Sequence, residues 1–181
     1  MGDTYSKIII TKVSASAAPA MAERIIHFLI GKQIIADQLT DAVLGQHQGY
    51  PPGPHYHEAL QEPGDDILNF SVNGVELHVG RQVFYQPGLE AIHCPHCGEN
   101  IIDTEWGQAL EEWIQETGKE LIICPGCQQE QSITGYQFEP LWAFGNLGLS
   151  FWNWGSAFKE GFIRDLEKLT GYPIIVQYGK L

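Results

Sequence analysis

The four cysteines of this chain fall into two hooks, Cys94-Pro95-His96-Cys97 and Cys124-Pro125-Gly126-Cys127, with 26 residues between them. Two cysteines three positions apart across a proline-led turn present their sulfurs at one fixed bite. Two such hooks supply the four soft donors that a tetrahedral divalent ion requires. The chemistry this predicts is one structural Zn²⁺ on Cys94, Cys97, Cys124 and Cys127, because four thiolates close the shell and leave no position for a substrate. A dithiol redox pair is the competing use of C-x-x-C. Two matched hooks and no further cysteine favour a shared ion.

The hooks resemble the knuckles of zinc ribbons and rubredoxins, in which a glycine commonly follows the second cysteine so that the chain can turn back with positive φ. Gly98 meets that pattern and Gln128 departs from it, with Gly126 as the residue expected to take the strain. The resemblance covers residues 94–127 and implies a bound metal, not an activity. A simple ribbon carries a hairpin between its hooks. Here Asp103 or Thr104 is placed to cap a helix whose inner stripe is Trp106, Leu110, Trp113 and Ile114, with Glu111, Glu112 and Glu116 on the opposite face and Gly118 as its stop.

A second constellation lies in the loop before the hooks. His55 and His57 flank Tyr56, Glu58 follows, and His47 is close by. In extended chain His55 and His57 share a face and can bind one metal, giving an open site of the kind that activates water. No H-E-x-x-H frame fixes their geometry, so His47, His55, His57 and Glu58 stand as the alternative, a metal-dependent hydrolase. His93 and His96 sit beside filled cysteine positions and are expected outside the coordination sphere. There is no phosphate-binding G-x-x-x-x-G-K-[ST], no G-x-S-x-G elbow and no spare cysteine nucleophile.

Charge narrows the partner. The chain carries −12 overall, and residues 41–140 hold 16 Asp and Glu against Arg81 and Lys119 alone. A tetrathiolate zinc adds about −2 to that stretch. Zinc ribbons that bind nucleic acid do so by neutralising phosphates with Lys and Arg, so a nucleic-acid role ranks third and a basic protein partner is favoured. No apolar run reaches a membrane span, the start Met1-Gly2-Asp3-Thr4-Tyr5 lacks the pattern of a signal peptide, and metal-binding thiolates suit a reducing cytoplasm.

The frame that positions these groups is expected to be α+β, one domain over 1–181. Lys7 to Val13 reads as a strand, Pro19 to Ile30 as a helix with Ala22, Ile25, Ile26 and Leu29 on one face, and Gln33 to Ala36 as a strand. Leu147 to Trp152 as a strand, a helix capped by Ser156 with Phe158, Phe162, Leu166 and Leu169 on one face and ended by Gly171, and Ile174 to Tyr178 as a strand repeat the order. The units share wording, Leu29-Ile30-Gly31 through Ile35 against Leu169-Thr170-Gly171 through Ile175. Two βαβ units predict a ferredoxin-like antiparallel sandwich with the long middle inserted. That middle divides into a Gly/Pro/His-rich loop over 45–66, a β-hairpin insertion over 67–92 that turns at Asn73-Gly74 with Val75, Leu77 and Val79 on one face, and a zinc-binding lobe over 93–135.

Trp142, Trp152 and Trp154 cluster with Phe144 and Phe151 near the end of the middle segment. Aromatic rings dominate protein interfaces. The reading this supports is a zinc-containing, non-catalytic module that binds or inhibits another protein in an immunity-like way. Trp142, Trp152 and Trp154 would serve as anchors, and Glu111, Glu112 and Glu116 as the charged rim.

Overall fold

A computed structural model describes residues 2–64 and 67–181; Met1, Asp65 and Asp66, and with the latter two the end of the 45–66 loop, lie outside the described residues. The chain forms two compact units, Met1–Gly80 with Gly145–Leu181, and Arg81–Phe144. It passes from the first to the second inside β2 (Val75–Phe84) and returns inside β7 (Ala143–Trp152). The fold is mixed α and β, with three α-helices among the described residues and antiparallel pairing.

The first unit is organised by a four-stranded sheet in the order β2-β7-β1-β8, with β1 at Thr4–Ile10 and β8 at Ile174–Lys180. β1 lies antiparallel between β7 and β8, with Ile8 opposite both Leu149 and Val176. Strand alternation sends Ile8 and Ile10 to the same face as Leu147, Leu149 and Phe151. Onto these pack Ile25 and Leu29 of α1 (Ala18–Gly31) and Phe162 and Leu166 of α3 (Glu160–Thr170), so both helices share one core. Full burial of such side chains contributes roughly 1.5–3 kcal/mol each.

Three expectations need correction. Gln33 to Ala36 is no sheet strand: Ile34 and Ile35 are buried, but Ile35 meets only Pro52, and Pro51-Pro52 has no N–H with which to extend a ladder. The strand expected there is β2, some 40 residues later in the sequence. Asn73-Gly74 does not turn a hairpin. Neither residue has the positive φ a type I′ turn demands, and both amides donate to Ala42 O, at 2.9 and 2.6 Å. Ser156 does not cap α3, which begins after Lys159; its Oγ accepts the Glu62 N–H at 3.0 Å.

The shared wording of the two units therefore has two outcomes. Gly171 adopts φ 74° and ends α3, and Ile174-Ile175 enter β8. Gly31 stays helical and Gln33 takes the left-handed turn instead, at φ 56°. The Gly/Pro-rich segment is ordered against it, with Gly53 N donating to Ile34 O and Ala36 N to Pro51 O. Gly53 is required there, because a Cβ would collide with the Gln33 carbonyl.

The second unit is wider than 93–135. It contains α2 (Trp106–Gln115) and two two-stranded ladders: β3 (Ala91–His93) with β6 (Gln137–Glu139), and β4 (Leu121–Ile123) with β5 (Glu130–Ser132). Ile92, Ile101, Trp113, Ile133 and Phe138 form its core, and Cys94 and Cys124 are members of that core.

Candidate metal centre

Each hook is built by the same pair of backbone hydrogen bonds. In the first, Cys94 N donates to Glu99 O at 2.9 Å and Gly98 N to Cys94 O at 2.9 Å. In the second, Cys124 N donates to Gln129 O at 3.0 Å and Gln128 N to Cys124 O at 2.9 Å. The loops are equivalent although one ends in Gly and the other in Gln. Gly98 has φ 77° and Gln128 takes the same left-handed turn at φ 60°, while Gly126 does not. The strain expected at Gly126 thus sits at Gln128, whose side chain donates to Pro125 O at 2.9 Å.

The four sulfurs lie within 4.8 Å of one another, with Cys94 Sγ to Cys127 Sγ at 3.8 Å and Cys97 Sγ to Cys124 Sγ at 3.6 Å. A tetrahedron of Zn–S bonds about 2.3 Å long has S···S edges of about 3.8 Å, so the donor set fits a tetrahedral ion with little movement. Unpaired cysteines held this close resist joint ionisation. Burial opposes charge on Cys94, but amide donation from His96 and Cys97 outweighs it and brings that thiol down to about 6. Cys97 is pushed up to about 12: amide donation from Glu99 favours its thiolate, and burial with the neighbouring sulfurs overrides that. One thiolate forms readily and the next is opposed, a conflict that a shared dication removes.

Trp113 and Phe144 meet edge to face at 5.1 Å, and Trp142 stacks on Phe138 at 4.9 Å. Trp142 is half-buried and its Nε1 donates to Gln86 O at 3.0 Å. Trp154 is 1% exposed, its Nε1 donating to Asn73 O, so it is a core residue of the first unit rather than a surface ring. Trp152 is half-buried against Tyr5, its Nε1 on Glu76 Oε2 at 3.2 Å. Of the carboxylates, Glu111 is exposed, Glu112 accepts the Glu120 N–H at 3.1 Å, and Glu116 pairs with Arg81 Nε at 3.0 Å. Asp103 and Thr104 do not cap α2, whose N-cap is Glu105, and the helix stops at Glu116 in the left-handed region.

The histidine loop forms a short 3-10 turn at Tyr56–Ala59 rather than an extended strand. His55 and His57 meet edge to face at 6.0 Å, and Glu58 Oε1 is 3.8 Å from His55 Nδ1. Among the described residues the one group of three or more candidate ligands within bonding reach of a common ion is the four cysteines.

Sequence reading missed a polar row across the helix-free face of the first unit's sheet. Lys7 on β1 faces Ser150 on one side and Gln177 on the other, and Ser150 Oγ shares a 2.8 Å hydrogen bond with His78 Nε2. Glu76 Oε2 lies 3.9 Å from the same nitrogen, and Lys7 Nζ sits over the Tyr5 ring. The alternation of Glu76 and His78 along β2 was the available signal, and it marks one strand of the row. Burial lowers the pKa of His78, Glu76 opposes it, and Lys7 and His47 reinforce it. A histidine held below its unfolded value takes up protons preferentially in the unfolded chain, so its contribution to stability is present above about pH 6.5 and is lost as pH falls. We expect His78→Gln to lose less of its melting temperature than the native chain between about pH 7 and pH 5, as read by calorimetry. Parallel losses would remove His78 from the account.

No helix among the described residues is long and apolar enough to cross a membrane. The chain matches no protein-family model, no curated protein and no solved structure.

Proposed function

We propose that the protein is a non-catalytic binding module in which one structural Zn²⁺ holds the Arg81–Phe144 unit as an acidic surface for a basic protein partner. The observation that carries this reading is charge. The unit's sequence contains ten Asp and Glu against Arg81 and Lys119. Arg81 is engaged by Glu116, by Glu120 at 2.8 Å and by the Trp113 carbonyl at 3.0 Å, so that cation neutralises its own unit. Thiolate donors and a tetrahedral edge length favour zinc over hard oxygen-seeking ions. Four metal-bound thiolates suit a reducing, cytoplasmic setting. The first unit supplies the frame. Counting only its sheet strands in chain order, the arrangement is second, third, first, fourth, with both helices on one core, and this supports the ferredoxin-like reading.

An acidic surface speeds encounter with a basic one and rejects polyanions. The test is affinity capture at about 0.15 M salt, where exposed charges separated by more than about 8 Å are screened. Native chain and a Glu111→Lys/Glu130→Lys variant are compared, and captured proteins are then reassembled from pure components. A defined basic protein that binds the native chain and is lost from the variant supports the reading. Equal capture by both, or none by either, refutes it.

A further inference from the structure

The partner-binding reading leaves open which part of the acidic unit makes contact, and β4 offers a specific answer. Glu120 and Cys124, which flank β4, bond to the two residues that flank β5: Ile133 N donates to Glu120 O, and Cys124 N to Gln129 O. Hydrogen-bonded pairs alternate along an antiparallel ladder, and the register sets Leu121 opposite Ser132 and Ile123 opposite Glu130. The parity therefore turns the N–H and C=O of Leu121 and Ile123 away from β5, toward the outer edge.

That edge borders a groove. A cavity of about 290 Å³ lies between β4 and α2, lined by Glu105, Gln108, Ala109 and Glu112 on one side and by Leu121 and Ile123 on the other. Leu121 is 37% and Ile123 60% exposed, two apolar side chains standing on an open strand edge. Such an edge is a template for another strand unless it is guarded by charge, proline or a bulge. The guard lining the groove is one-signed, since its charged groups are the carboxylates Glu105 and Glu112 and Lys119, two residues before β4, is not among the lining residues. A second copy of this chain would bring like charges together. A lysine- or arginine-bearing strand would be attracted.

We propose that the α2/β4 groove receives an extended segment of a partner protein, alternating apolar and basic residues, added as a strand to the outer edge of β4. The inference rests on the protein-binding reading and deepens it. The backbone of the segment would pair with Leu121 and Ile123, its apolar side chains would cover them, and its basic side chains would reach Glu105 and Glu112. β4 runs directly into Cys124, so an ion held by the four cysteines would fix the position of the edge.

The experiment is a titration of the zinc-loaded full chain at about 0.15 M salt, followed by amide NMR and hydrogen exchange. The probes are an acetylated (Lys-Val)₄ amide and the same peptide N-methylated at alternate backbone positions. The first should shift and slow the Leu121 and Ile123 amides. N-methylation, which removes strand pairing and keeps the charge, should weaken binding about ten-fold or more. Ile123→Lys, at an exposed position, should do the same with zinc content unchanged. Equal binding of both peptides, or shifts elsewhere, would overturn the groove while leaving the charge-based reading intact. No binding of either peptide overturns the groove too, and partner capture then decides the broader reading separately. Concentration-dependent protection of the same amides without peptide would assign the edge to a second copy and also overturn it.

Discussion

Removing the metal, by chelation or by Cys124→Ser, is expected to unfold the Arg81–Phe144 unit. The core of that unit is assembled on the cysteines themselves: Cys124 is 0% and Cys94 3% exposed, and both pack with Ile92, Ile101 and Trp113. The β-ladders are three residues long and α2 has ten residues, so none of these elements is stable alone. A unit over Arg81–Phe144 is of the size at which apolar burial only marginally offsets chain entropy, so a cross-link weighs heavily in its stability. Structural Zn²⁺ sites contribute about 10–16 kcal/mol of apparent binding free energy, as large as the roughly 5–15 kcal/mol by which whole domains are stable. Without it, four thiols remain crowded together, with Cys94 and Cys124 buried in the unit's core, and substitution of one by serine removes a ligand without relieving the rest. The measurement is amide exchange across 81–144, with near-ultraviolet circular dichroism, to which Trp106, Trp113 and Trp142 contribute beside Trp152 and Trp154 of the first unit. Loss of protection across 81–144 and of part of the near-ultraviolet signal on chelation, both recovered on adding zinc, is the expected result. Unchanged spectra in the metal-free chain would show that the unit folds on its own core.

The metal site was legible because its signal is local. Four cysteines at two identical spacings can be read without knowing the fold, and the structure brings all four together. Helices with a single apolar stripe were legible for the same reason: α1 and α3 bury the residues their periodicity marks. Strand identity was harder where burial and pairing diverge. Ile34 and Ile35 are apolar, β-branched and fully buried, which sequence reads as a strand, but what faces them is a proline pair and not a ladder. β2 was half-recognised. Its alternation was visible at Val75, Leu77 and Val79, and Asn73-Gly74 suggested a local turn where the strand joins a distant sheet. The row of Lys7, Ser150, His78 and Gln177 was only partly signalled, for a related reason. Its members come from four strands separated by up to most of the chain, and only the register places them side by side.

A chain ending at Gly171 is expected to lose the native fold, because β8 is the strand that completes the sheet rather than an appendage to it. Every residue of β1 from Thr4 to Ile10 is paired with β8, from Lys180 to Ile174. Ile174 and Val176 pack on the core shared with α1 and α3, Gln177 is buried at 2% exposure, and Tyr178 Oη accepts the Phe158 N–H at 3.1 Å. Losing two partly buried aliphatic side chains costs roughly 2–4 kcal/mol. The orphaned backbone groups of β1 add about 1 kcal/mol or more each where they remain shielded from water. The sum reaches the 5–15 kcal/mol by which domains are stable at all. It also bares β1, with Ile8, Ile9 and Ile10 in succession, as a new edge, so the truncated chain should aggregate rather than persist as a loose monomer. Expression of chains ending at Gly171 and at Lys180, compared by soluble yield and far-ultraviolet circular dichroism, separates the two cases. The longer chain should be native-like and the shorter one insoluble. Adding a synthetic peptide of residues 172–181 during refolding should restore structure to the shorter chain, which a merely toxic or proteolysed truncation would not show. A soluble, cooperatively melting chain that stops at Gly171 would mean that β1 and β7 hold the core without their neighbour, and that the sheet is built from its β2 side.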